Sequence, residues 1–126
     1  MGNRATEVVG QISRWFEDRY GYELNRTTME QTLRRGHDLA ESVQARIKTY
    51  LNNAVCVHLD ETGVRVVGKL RWLHVALTDR WTHRFVHQKR GQAALDDEAS
   101  ILGEYSGTAV HDGWGPYFAF DQMDHR

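Results

Sequence analysis

Two aspartates, each closing a short apolar run, are the residues whose type and placement best suit chemistry. Ala54-Val55-Cys56-Val57-His58-Leu59 is almost continuously apolar and ends at Asp60. Thr108-Ala109-Val110-His111 is a second, shorter run and ends at Asp112. In sheets with parallel strands, ligands bind beyond the carboxyl ends of the strands, near a topological switch. If these two runs are neighbouring parallel strands, both carboxylates emerge at one edge. Strand alternation groups His58 with Asp60, and Thr108 and Val110 with Asp112. Two carboxylates brought together raise each other's pKa, and a hard divalent cation such as Mg²⁺ or Mn²⁺ relieves that repulsion. Two such ions roughly 3.5–4 Å apart activate a water or a 3′-hydroxyl and stabilise the leaving oxygen of a phosphodiester. An aspartate also ends strands and caps turns, and the spacing alone leaves that plainer reading open.

Other polar residues make weaker candidates. Glu61 follows Asp60 and points to the opposite face if the strand continues, so it is assigned no metal. His58, His74, His83, His87 and His111 show no zinc-ligand spacing. His58 and His111 suit at most a supporting role behind the carboxylates. Cys56, the sole cysteine, has no internal disulfide partner and reads as a small buried side chain in an apolar run.

The elements that must position the aspartates follow from periodicity. Residues 1–52 read as a helical segment, compatible with a helix-turn-helix and with any helical hairpin. Ala5, Val8, Val9, Ile12, Trp15, Phe16 and Tyr20 recur at helical spacing, and Gly21 sits where a helix end needs a left-handed residue. Thr27-Thr28-Met29-Glu30 has the form of a capping box. Met29, Leu33, Leu39, Val43, Ile47 and Tyr50 then form one candidate buried stripe, with Gly36 a place for a bend. Residues 53–126 read as strands with one short helix. The run before Asp60 suits a central strand. Leu70–Thr78 and Trp81–His87 suit a hairpin turning at Asp79-Arg80. Residues 91–102 suit a short helix, and Pro116 suits the first turn of another. The fold class is therefore α/β, a helical segment followed by a sheet of about four strands.

Composition sets outer limits. The chain has 126 residues, 40% hydrophobic and 26% charged, which fits a folded domain rather than a disordered chain. No apolar run approaches the roughly 18–20 residues of a membrane span. The start, Met1–Glu7, has no apolar stretch of the signal-peptide kind. These features fit a cytoplasmic protein. The net charge is −1, but it is unevenly spread. Between residues 65 and 90, Arg65, Lys69, Arg71, Arg80, Arg84, Lys89 and Arg90 face a single acid, Asp79. Such a block suits a phosphate backbone, and equally a solvated hairpin face.

The residues also carry a family resemblance. His58-Leu59-Asp60-Glu61-Thr62-Gly63-Val64-Arg65-Val66, followed by Gly68-Lys69-Leu70-Arg71-Trp72-Leu73-His74-Val75, resembles the opening of the catalytic core of insertion sequence 66 family transposases. Val86-His87-Gln88-Lys89-Arg90-Gly91 resembles the motif after that family's strand hairpin. Thr108-Ala109-Val110-His111-Asp112-Gly113-Trp114, with Tyr117, resembles its second acidic motif. Leu24-Asn25-Arg26-Thr27-Thr28-Met29 resembles the helical region before the core.

The resemblance implies an RNase H-like fold, here incomplete, in which the first and fourth strands are parallel neighbours. It implies DDE chemistry, the cutting and joining of transposon ends and target DNA with Mg²⁺ or Mn²⁺. Asp60 and Asp112 would be the first two catalytic, metal-binding carboxylates. Lys69, Arg71, Lys89 and Arg90 would contact DNA. The family's third carboxylate, a Glu on a later helix, has no counterpart before Arg126, and the fifth strand is expected to be missing. The expectation is a truncated, inactive fragment working at bacterial nucleoid DNA. The alternative is a non-catalytic segment that binds DNA, a full-length transposase or its own copies.

Overall fold

The computed structural model describes residues 4–126, with side chains from residue 8 onward. The side chain of Ala5 and the start of the Met1–Glu7 segment therefore lie outside the described residues. Contacts divide the chain into two compact units, Met1–Ser42 and Val43–Arg126.

In the first unit, helix α1 spans Arg4–Tyr20. It ends at Gly21, whose φ of +78° is the left-handed conformation that glycine adopts without a Cβ penalty. Helix α2 spans Arg26–Asn52 and runs through Gly36 without interruption. Its cap differs from the expected box. The Thr27 N–H donates to Asn25 Oδ1 at 2.8 Å, so Asn25 satisfies a free amide at the start of the helix. Glu30 instead accepts from Arg26 one turn away. The expected stripe is also corrected. Met29 is buried, but Leu33 and Leu39 are 67% and 72% exposed. Helical periodicity marks one face of α2 without determining whether anything covers it.

The second unit is a five-stranded mixed sheet. Its strands are β1 (Cys56–Val66), β2 (Lys69–Leu77), β3 (Thr82–His87), β4 (Thr108–Val110) and β5 (Asp124–His125), in the order β3-β2-β1-β4-β5. The β1–β2 and β2–β3 pairs are antiparallel, whereas β4 runs parallel to β1 and β5 runs parallel to β4. Strand β1 does not stop at Asp60. It continues to Val66 and turns through Val67 and Gly68, both at positive φ, as a tight hairpin of two residues requires.

The count of about four strands is likewise corrected to five. Asp124 pairs with Thr108, and His125 pairs with Ala109. Two residues give too little sequence for a strand signal, and the neighbouring β4 supplies the pairing. The helix expected over residues 91–102 shrinks to α3, Gln92–Leu95, followed by turns. The turn near Pro116 is a 3-10 helix, Gly115–Ala119.

One sheet face forms the core. Val57 and Leu59 of β1, Ala76 of β2 and Ala109 of β4 pack with Leu95, Leu102, Tyr105 and Tyr117. Leu51, from the last turn of α2, is fully buried in the same cluster. The alternate residues of β1, Cys56, His58 and Asp60, are exposed. Cys56 is thus corrected from buried to exposed. The apolar run around it contains both faces of the strand, and only its partners Val57 and Leu59 turn inward.

Candidate functional site on two parallel strands

The β1–β4 ladder brings the two aspartates towards one edge. Its register pairs Cys56 with Thr108, Val57 with Ala109 and His58 with Val110. Two residues further along each chain are Asp60 and Asp112. Both are exposed, and neither forms a salt bridge among the described residues. Each uses Oδ1 locally. Asp60 accepts the Glu61 N–H at 2.9 Å, and Asp112 accepts the Trp114 N–H at 2.9 Å. The Asp112 contact is an Asx turn, which shapes the chain immediately after the strand.

Beneath this edge lies a buried polar cluster. Because β1 continues, Glu61 turns to the core face, and its side chain is only 2% exposed. Its Oε1 accepts from Arg90 Nε at 3.0 Å and Nη2 at 2.6 Å. Its Oε2 accepts from the Tyr117 hydroxyl at 2.6 Å. Burial first, then the hydrogen bond to Glu61 and its charge, push the Tyr117 hydroxyl well above the ordinary tyrosine pKa. The charges of Asp112 and Asp60 act in the same direction, so all three carboxylates are felt at this one hydroxyl. His111 stands beside the cluster, its ring 4.6 Å from that of Tyr117. Burial and the neighbouring His125 lower its pKa, against the opposing charges of Asp112 and Glu61.

The basic residues divide into two kinds. Lys69 and Lys89 are exposed and Arg71 is half-buried, and none of them forms a salt bridge among the described residues. Arg90 is held internally by Glu61, and its guanidinium carbon lies over the rings of Trp114 and Trp72, 4.4 Å and 5.1 Å from their centres. The register also draws attention to Arg84. Asp60 pairs with Val75, and Val75 pairs with Arg84. Arg84 therefore shares a cross-strand row with Asp60, about 10 Å away at the usual strand spacing. Its place in the basic block was legible, but the row was not, because pairing depends on the register of two hairpins. Among the described residues, no group of three or more His, Cys, Asp or Glu side chains is arranged to hold a metal ion. Among the same residues, no helix is long and apolar enough to cross a membrane.

A helical segment joined to a mixed sheet, with Asp60 on the central strand and Asp112 two residues past the end of its parallel neighbour, defines an α/β protein. The chain belongs to the Transposase IS66 family, whose family model matches residues 10–126. No match was found among curated proteins or among solved structures.

Proposed function

We propose that this chain contributes to DNA cleavage and strand transfer as part of an RNase H-like transposase core, with Asp60 and Asp112 as two catalytic carboxylates. The observation that supports this reading is the parallel β1–β4 pairing, whose last pair, His58 and Val110, stands two residues before each aspartate, in a chain of a transposase family. Their donor chemistry suits Mg²⁺ or Mn²⁺. Both are exposed hard-oxygen ligands, and magnesium is commonly held by one or two carboxylates together with water and substrate phosphate. When bound, such an ion would polarise the phosphodiester and favour the attacking oxygen.

The chain's own part is to hold the two carboxylates and to guide DNA. Lys69, Arg71, Lys89 and Arg84 would contact phosphates, whereas Arg90 serves the internal cluster first. DNA, meaning transposon ends and target, is the expected partner, at the bacterial nucleoid. With no group of three or more His, Cys, Asp or Glu side chains arranged to hold a metal ion among the described residues, the chain alone is proposed to lack cutting activity, because charge placement supplies most of such catalysis.

The test is a nicking and strand-transfer assay on the chain with Mn²⁺, paired with Mn²⁺ binding. The expected outcome is weak Mn²⁺ binding, lost in Asp60→Asn and Asp112→Asn, without nicking. Binding that persists in both variants would refute the shared site, and Asp60-dependent nicking would refute the inactivity.

A second reading has its own observation. Lys69, Arg71 and Arg84 of the β2–β3 hairpin, in no salt bridge among the described residues, suit DNA binding without chemistry, by the chain alone, with its copies or beside a full-length transposase. It predicts salt-sensitive DNA affinity that survives Asp60→Ala.

A further inference from the structure

The β1–β4 ladder ends at His58 and Val110, so backbone pairing alone does not fix Asp60 against Asp112. Beyond that point the two chains are joined by side chains. Glu61 is the residue after Asp60. Its carboxylate accepts two bonds from Arg90 and one from Tyr117. Arg90 packs against Trp114, whose amide is bonded to Asp112. A continuous path of contacts therefore runs from Asp60 through Glu61, Arg90 and Trp114 to Asp112, and Tyr117 closes it from the 3-10 helix.

We propose that Glu61, Arg90 and Tyr117 form a positioning clamp that sets Asp112 against Asp60 and thereby tunes the affinity of the pair for a divalent cation. The inference rests on reading the two aspartates as a metal-binding pair. None of the three clamp residues need touch the ion or the DNA.

The chemistry of the cluster supports placement more than stability. A buried ion pair carries a desolvation cost that often cancels its attraction, and well-packed apolar residues usually serve stability as well. What the charged pair adds is direction. The planar Arg90 fork meets one carboxylate oxygen through two N–H groups while its guanidinium carbon stands over the rings of Trp114 and Trp72. A lysine ammonium has neither the fork nor the faces. Glu61 has both oxygens engaged, so its rotation is fixed. Residues that orient metal-binding groups from behind typically change metal affinity by about 10–100-fold when altered.

The test uses the full chain with Mn²⁺ as the probe. Free Mn²⁺ is followed by electron paramagnetic resonance, together with amide hydrogen exchange and thermal unfolding. Arg90→Lys is expected to weaken Mn²⁺ binding about tenfold or more and to speed exchange of the Trp114 amide, while the β1–β2 hairpin amides keep their protection. Tyr117→Phe keeps the ring, removes one of the three bonds to Glu61 and is expected to give a smaller loss in the same direction. It also serves if Arg90→Lys does not fold. Met29→Ala, a buried change in the first compact unit and outside the core cluster that holds Tyr117, is expected to lower the unfolding temperature with unchanged Mn²⁺ affinity.

Variants of Arg90 and Tyr117 that lower the unfolding temperature but leave Mn²⁺ affinity and Trp114 exchange as in the parent chain would overturn the clamp. Absence of Mn²⁺ binding in the parent chain would overturn the metal reading of the aspartates, and the positioning role with it. The two failures are thus told apart by which protein loses the ion.

Discussion

His111 Nε2 lies 3.0 Å from His125 Nδ1, and the neighbouring bonds fix which ring carries which proton. The Gly113 N–H donates to His111 Nδ1 at 3.0 Å, so the His111 proton sits on Nε2 and points at His125. His125 then holds its own proton on Nε2, facing the Phe120 carbonyl at 3.2 Å. Two neutral imidazoles thus tie the two-residue β5 to the end of β4. The backbone adds the Asp124 N–H to Gly107 and the Arg126 N–H to Ala109, at 3.0 and 2.9 Å.

His125→Ala is therefore expected to loosen β5 without unfolding the sheet. It strands the His111 Nε2–H in a half-buried place, at a cost of about 1–2 kcal/mol. Chemical denaturation should register that loss. Hydrogen exchange should show faster exchange of the Arg126 amide, with the β1–β2 hairpin unaffected. Unchanged Arg126 protection would mean that the backbone bonds alone hold β5.

Helix α2 offers a contrast between two leucines. Leu39 belongs to the expected buried stripe and Leu51 does not, yet Leu39 is 72% exposed and Leu51 is fully buried. Leu51→Ala is expected to destabilise the chain by about 2–5 kcal/mol. Leu39→Ala should stay within about 0.5 kcal/mol. Equal effects in a denaturant titration would show that the Leu51 site collapses freely, or that Leu39 is covered in solution.

These leucines show where the sequence was legible and where it was not. The parallel relation between β1 and β4, expected from the family resemblance whose motifs stand in order, is present, whereas the run expected to end at Asp60 continues to Val66. The β2–β3 hairpin could be read from a local pattern. What could not be read depends on partners far along the chain. The Glu61 environment needs Arg90, 29 residues away, and Tyr117, 56 residues away. Alternation correctly turned Glu61 away from Asp60, but nothing local says what waits on that side. Strand β5 is too short to signal itself, and Cys56 is exposed because strand alternation overrides the apolar character of its run.

His74 sets a pH dependence whose sign can be worked out. Its ring is buried, stacks on Phe85 at a centroid distance of 5.1 Å, and has Nε2 3.4 Å from the Lys89 carbonyl. Its Nδ1 has no partner. Burial lowers its pKa below the ordinary 6.5, outweighing the Lys89 bond and the Glu61 charge, with His87 and Arg90 adding to the decrease. The unfolded chain therefore takes up the proton more readily. Its contribution to stability is present above about pH 6.5 and is lost as the pH falls towards the depressed folded value. Denaturation midpoints should decline over that interval. His74→Phe should flatten part of the decline, leaving the portion due to His111, whose pKa is lowered in the same sense. A slope unaltered by His74→Phe would assign the whole dependence elsewhere.

The basic hairpin makes a prediction that separates charge from chemistry. Lys69 and Arg71 lie on β2, Lys89 follows β3, and Arg84 shares a row with Asp60. Each phosphate contact made by a cation releases condensed counterions, so the logarithm of affinity falls with the logarithm of salt concentration by about 0.9 per contact on duplex DNA. Lys69→Ala and Arg84→Ala should each weaken binding to a duplex of arbitrary sequence and flatten that slope by about one contact's worth. Asp60→Asn removes a negative charge from the same face, so it should leave affinity unchanged or raise it in the absence of divalent ions. Fluorescence anisotropy across a salt series reads all three. Affinity insensitive to salt, or slopes unaffected by both cation variants, would mean that this face does not carry DNA. The duplex would then have to be met by surfaces other than the sheet row containing Asp60.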